Sequence, residues 1–68
     1  MEAVVNGQRL ELESGHTIQS LINSLHTAPE GRGLAVAVDG QVVPRAAWAR
    51  TVLEEGARVE IVAAVQGG

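Results

Sequence analysis

The two glycines that end the sequence, Gly67 and Gly68, are its strongest chemical signal. They follow an apolar run and Gln66, so the chain would finish as a thin stalk bearing a free carboxylate. An α-carboxyl group is ionised at neutral pH. Because glycine lacks a Cβ atom, the stalk fits a narrow channel and adopts φ angles closed to other residues. Such a carboxylate can attack the α-phosphorus of ATP and form an acyl-adenylate. The predicted site is therefore the carboxyl group of Gly68.

The other residues that could do chemistry form no recognised pattern. His16 and His26 lack metal-ligand spacing, and we expect both to be solvated loop or helix-end residues. The serines show no Ser–His–Asp signature, and the GRG segment at 31–33 lacks the frames of phosphate-binding loops. The absence of cysteine excludes disulfides and thiolate nucleophiles. We therefore expect no catalytic residue, no metal site and no cofactor bound by the chain itself.

Composition narrows the class of protein. The 68 residues allow one small domain with a modest core. A net charge of −3 argues against a nucleic-acid partner, which would require a basic face. No apolar stretch approaches the roughly 20 residues that span a bilayer, and no leader pattern indicates secretion. We expect a cytoplasmic protein with neither a membrane nor a nucleic-acid partner.

The elements that must position the tail can be read from periodicity. Residues 2–12 form a hairpin pattern around Asn6-Gly7, and 34–43 form a second one around Asp39-Gly40. Between them, apolar residues at helical spacing from Ile18 to Leu25 predict a helix, with Thr17 as a plausible N-cap. A helical turn containing Trp48, expected to fill the core, precedes a last strand over 57–65.

This order predicts an α+β protein of the β-grasp, or ubiquitin-like, arrangement. It has a mixed four- to five-stranded sheet, one main helix on one face, and the final strand inserted centrally. We expect the folded domain to span 1–65 and a flexible tail to span 66–68.

The last strand also suggests a docking surface. If Val59, Ile61, Ala63 and Val65 face the helix, Val62 and Ala64 face away from it, beside Ala35 and Ala37 if the two strands are neighbours. Four small apolar residues would then lie on the helix-free face near the tail, which favours a docking patch. Small residues also tolerate either environment, so alternation alone leaves this interpretation open.

Two stretches, VAVDGQVVPRAAW and LEEGARVEIVAAVQGG, resemble the ThiS family of small sulfur carriers of thiamin thiazole synthesis. The hairpin VVNGQRLEL and the helix TIQSLINSL extend the resemblance over nearly the whole chain. The V-P-R-x-x-W element and the terminal G-G together are fairly specific. Ala57 departs from the family, which often has Asp at this position, and this departure concerns a local turn hydrogen bond rather than the tail.

The resemblance implies a protein co-substrate rather than an enzyme. A ThiF-like enzyme would adenylate the Gly68 carboxylate with ATP and Mg²⁺, and sulfur from a cysteine desulfurase would replace AMP to give a thiocarboxylate. Thiazole synthase (ThiG) would accept that sulfur. Gly67 would keep the tail narrow where it enters the adenylating enzyme, and Val65 and Gln66 would lie along the path of the tail to that site.

Three alternatives remain open from the sequence. A MoaD-like carrier for molybdopterin synthesis shares the fold and tail but is usually longer. A ubiquitin-like modifier would be conjugated to other proteins, and the absence of Lys prevents self-linked lysine chains. A β-grasp binding module with an incidental tail would keep its function after Gly67 and Gly68 were removed.

Overall fold

The computed structural model describes residues 1–25 and 33–63, which form one mixed sheet, one α-helix and one 3₁₀ helix. The strands form where apolar and polar residues alternate, and the helix forms where apolar residues recur at the 3.6-residue spacing of an α-helix. The elements are β1 (Glu2–Val5), β2 (Gln8–Glu11), α1 (Ile18–Leu25), β3 (Leu34–Val38), β4 (Gln41–Val43), the 3₁₀ helix (Arg45–Arg50) and β5 (Arg58–Ala63).

Two-residue turns connect the paired strands at both sides of the sheet. Asn6 and Gly7 have φ angles of 51° and 81°, and Asp39 and Gly40 have 51° and 83°. Positive φ at both central residues is the type I′ pattern, which matches the twist of antiparallel strands. Asn, Asp and Gly are the residues that accept these angles most readily, so each dipeptide determines its hairpin.

The strand order across the sheet is β2-β1-β5-β3-β4. The final strand β5 lies at the centre, parallel to β1 and antiparallel to β3. Val5 is opposite Val59 and Val36 is opposite Ile61, so inward-facing apolar residues form continuous rows under the helix. The predicted β-grasp topology is confirmed, with five strands in the described part of the chain.

Helix α1 covers one face of this sheet. Thr17 begins it as the N-cap, because its Oγ1 accepts a hydrogen bond of 3.1 Å from the Ser20 backbone N–H. Ile18, Leu21 and Ile22 are all buried on the sheet-facing stripe. The predicted cap and stripe are therefore both present.

The 3₁₀ helix places Trp48 as the largest side chain of the core. Trp48 is only 1% exposed, and its indole N–H donates a 2.9 Å hydrogen bond to the Val43 carbonyl oxygen. That bond satisfies the one polar atom of a buried indole. The sequence prediction that Trp48 fills the core is confirmed.

One local expectation, that His16 is solvated, is wrong. His16 is half-buried rather than solvated, and its Nε2 atom is buried with no hydrogen-bond partner. Ala63 is paired with Leu34, which packs against the core, so it lies on the helix side of the sheet as expected, and it is exposed at the described end of β5. Ala57 is 5% exposed in the core, and its backbone N–H closes the preceding turn on the Glu54 carbonyl at 3.0 Å.

Candidate functional site

The helix-free face of the sheet is the surface that was predicted from the sequence to dock a partner. Strand alternation turns every second residue of β3 and β5 away from α1. The register brings Ala35 opposite Val62, and Ala37 opposite both Glu60 and Val42. Residues directly opposite one another in a sheet share a face. The structure therefore brings together the predicted residues Ala35, Ala37 and Val62.

An apolar patch, defined here as Ala35, Ala37, Val42 and Val62, forms a shallow concavity of about 190 Å³ bordered by Glu60. Val62 is 58% exposed and Val42 is 72% exposed. Large exposed apolar side chains grouped in this way are typical of interaction surfaces.

Val42 also belongs to this surface, although its sequence position did not predict it. Its neighbour Val43 pairs with the buried Val36, so Val42 must face the opposite side, beside Ala37. The signal was the Val-Val pair before Pro44, but it could be read only once the register of β4 was known.

A wider groove of about 600 Å³ continues from the patch along β5. It lies between the two hairpin turns, and its floor includes Val4, Arg58 and Glu60. Within the described ranges, neither the Arg58 nor the Glu60 side chain forms an ion pair. The helix-free face therefore has two halves. One half is apolar, and the other carries charged side chains that can interact with a partner.

The turn residues on both sides of this groove bind the central strand. Asn6 contacts Ile61, and the Asp39 carboxylate accepts a 3.0 Å hydrogen bond from the Arg58 backbone N–H. Strand β5 is thus held at its start and near its described end. This strand is the element that leads towards the C terminus.

The remaining predicted site residues lie outside the described ranges. These are Ala64, Val65, Gln66, Gly67 and Gly68. His26 and most of the GRG segment also lie outside. Their sequence-based roles stay predictions.

Other kinds of site find little support in residues 1–25 and 33–63. In that part of the chain, no group of three or more His, Asp or Glu side chains is arranged to hold a metal ion. The same residues contain no helix of the length and apolarity required to cross a membrane.

Comparison with known proteins gives consistent matches. The sequence model of the ThiS family matches residues 1–68. The chain is 28% identical to the sulfur carrier protein ThiS of Escherichia coli (strain K12), over the full length of both proteins. It is also 29% identical over 68 residues to a thiazole synthase of Paramagnetospirillum magneticum, and it spans only 20% of that protein's length.

Solved structures agree with the sequence matches. The fold superposes on the crystal structure of a thiamine biosynthesis protein (ThiS) from Geobacter metallireducens with a TM-score of 0.87 and 26% identity, covering both chains completely. An NMR structure of a thiamine biosynthesis protein from the same organism gives a TM-score of 0.74 at 26% identity, covering this chain fully and 88% of the other. With a family match over its whole length, the chain belongs to the ThiS family.

Proposed function

We propose that this chain is a sulfur carrier of thiamin biosynthesis whose reactive group is the Gly68 carboxylate. The observation that carries the proposal is the full-length match to the ThiS family and to the E. coli sulfur carrier. In the sequence, Gly67-Gly68 end the chain and are separated by residues 64–66 from Ala63, the described end of the central strand; two terminal glycines would give a carrier a slim terminus.

The chemistry proceeds in three steps at the same carboxyl group. A ThiF-like enzyme binds ATP with Mg²⁺, and a Gly68 carboxylate oxygen attacks the α-phosphorus, releasing pyrophosphate. A persulfide, formed with sulfur that a desulfurase takes from cysteine, then attacks the acyl carbon, and AMP leaves. A thiol reductant then cleaves the S–S bond of the resulting acyl disulfide, which leaves a thiocarboxylate on Gly68. The enzyme contributes positioning and charge neutralisation. The carrier contributes the terminus and the surface by which it is held.

Thiazole synthase is the proposed acceptor of the sulfur. The relative from P. magneticum bears this name, and one fifth of its length matches the present chain. A carrier-like segment and the thiazole synthase of that organism therefore belong to one polypeptide. This covalent connection supports the proposal that the carrier and the thiazole synthase bind each other when they are separate chains.

The apolar patch is the proposed docking surface for these partners. The alanine side chains of the patch are small, so a partner surface can approach the sheet closely there, and Val42 and Val62 offer apolar area to bury. The patch includes β5, so docking there would hold the strand that leads to the tail.

The proposal is tested by ATP–pyrophosphate exchange with a cognate adenylating enzyme. The full chain is expected to support exchange, whereas a variant truncated after Gln66 should support none while keeping the circular dichroism spectrum of the full chain. Exchange that persists after truncation would contradict the role of Gly68 and favour a binding module whose tail is incidental.

A further inference from the structure

The side chain of Asn6 forms hydrogen bonds with the backbone of the central strand at the point where β1 ends. Its Oδ1 accepts a 2.8 Å hydrogen bond from the Ile61 backbone N–H, and its Nδ2 donates a 3.1 Å bond to the Ile61 carbonyl oxygen. A carboxamide carries the same donor and acceptor as a peptide group. The Asn6 side chain therefore satisfies the two Ile61 backbone groups that a longer β1 would otherwise bond.

The need for such a substitute follows from the course of β1. Along β5, the backbone groups facing β1 belong to alternate residues. The Ala57 carbonyl accepts from the Val4 N–H at 2.8 Å, and the Val59 carbonyl accepts from the Asn6 N–H at 2.9 Å. Ile61 comes next, but the chain has already turned away at Asn6 and Gly7. The Asn6 side chain supplies the missing pair of bonds.

We propose that Asn6 is a positioning residue for the terminal glycines, holding β5 in the sheet at Ile61 so that the tail leaves from a fixed place. This inference rests on the proposed function of Gly68. Ile61 lies two residues before Ala63, where the described part of β5 ends. On its other side, β5 stays paired with β3 as far as Ala63 opposite Leu34. Loss of the Asn6 bonds would therefore free one edge of the strand without removing it from the sheet.

The second hairpin turn provides a matched control. Asp39 has the same φ of 51° at the same turn position, and its side chain also bonds to β5. Its partner is Arg58, at the opposite end of that strand from the tail. Asn6→Gly and Asp39→Gly thus remove one side chain each from equivalent backbones, and glycine accepts the positive φ at both positions.

Adenylation kinetics with the full chain, a ThiF-like enzyme and ATP distinguish the effects of the two substitutions. With Asn6→Gly, kcat should fall by roughly tenfold or more with little change in KM, because a misplaced reacting group loses rate. Asp39→Gly should keep kcat near the wild-type value. Amide hydrogen exchange should be faster at Ile61 in the Asn6 variant alone.

A second pair of variants tests the donor of the carboxamide. Asn6→Asp keeps the acceptor for the Ile61 N–H but places a carboxylate oxygen against the Ile61 carbonyl, so it should be as slow as Asn6→Gly. Asp39→Asn keeps the acceptor for Arg58 and should behave as wild type.

Three results would overturn the inference. If Asn6→Gly and Asp39→Gly give equal kcat, Asn6 acts only on the fold. If the wild-type chain is not adenylated at all, the proposed function itself fails and the positioning role fails with it. Adenylation of wild type with an unaffected Asn6→Gly variant refutes the positioning role alone.

Discussion

Replacing Val62 by Thr should weaken docking of the carrier without weakening its fold. Val62 belongs to the apolar patch and is 58% exposed, so its substitution leaves no cavity in the core. Thr is nearly isosteric with Val and, like Val, is β-branched and common in strands. The free energy of unfolding should therefore change by no more than about 0.5 kcal/mol.

The expected effect on binding follows from the hydroxyl group. Once a partner covers the patch, this group leaves water on a surface that is apolar except for Glu60 at its border, with Ala35 directly opposite on the adjacent strand. Desolvating a hydroxyl without a new hydrogen bond costs about 1–3 kcal/mol. The dissociation constant for the adenylating enzyme should therefore rise by roughly five-fold or more.

Val52→Thr is the matched control for this change. Val52 is 54% exposed, close to the value for Val62, but it lies in a bridge with Thr17 beside the start of α1. Steady-state adenylation with increasing carrier concentration should show a raised KM for Val62→Thr and an unchanged KM for Val52→Thr. Equal KM values for both variants and wild type would refute the assignment of the helix-free face as the docking surface.

Three further substitutions test the core, a buried polar atom and the terminus. Trp48→Ala should lower the free energy of unfolding by about 3–5 kcal/mol, measured by urea unfolding followed by circular dichroism, and a loss below about 1 kcal/mol would contradict its place in the core. His16→Leu removes the buried Nε2 that lacks a partner and should raise the free energy of unfolding by about 1 kcal/mol in the same assay, whereas destabilisation would show that this atom is satisfied in solution. Gly68→Ala should fold normally yet release pyrophosphate slowly, because a Cβ atom crowds the adenylation site, and release at the wild-type rate would refute the narrow-channel argument.

Most of the fold could be predicted because its signals are local. The Asn6-Gly7 and Asp39-Gly40 dipeptides define both hairpins by backbone stereochemistry alone. The apolar stripe of α1 and the Thr17 cap likewise depend on residues at most a few positions apart. The central place of β5 agreed with the apolar character of its sequence, and the register then assigned Ala35, Ala37 and Val62 to one face.

The features that escaped prediction depend on contacts between distant residues. The bonds from Asn6 to Ile61 join residues 55 positions apart, and they exist only because β1 stops short of its partner strand. His16 is half-buried because its loop packs close to Leu53, whose backbone N–H bonds to the His16 carbonyl at 2.8 Å. Neither contact leaves a periodic or compositional trace in the sequence.

The central claim concerns one atom of Gly68, and intact-protein mass spectrometry with C-terminal fragmentation tests it most directly. The chain isolated from its own cells should contain a fraction with one oxygen replaced by one sulfur, localised to Gly68. The same change should appear after incubation with ATP, the cognate adenylating enzyme and a sulfur donor. A carboxylate that stays unmodified in both samples would contradict the sulfur-carrier function.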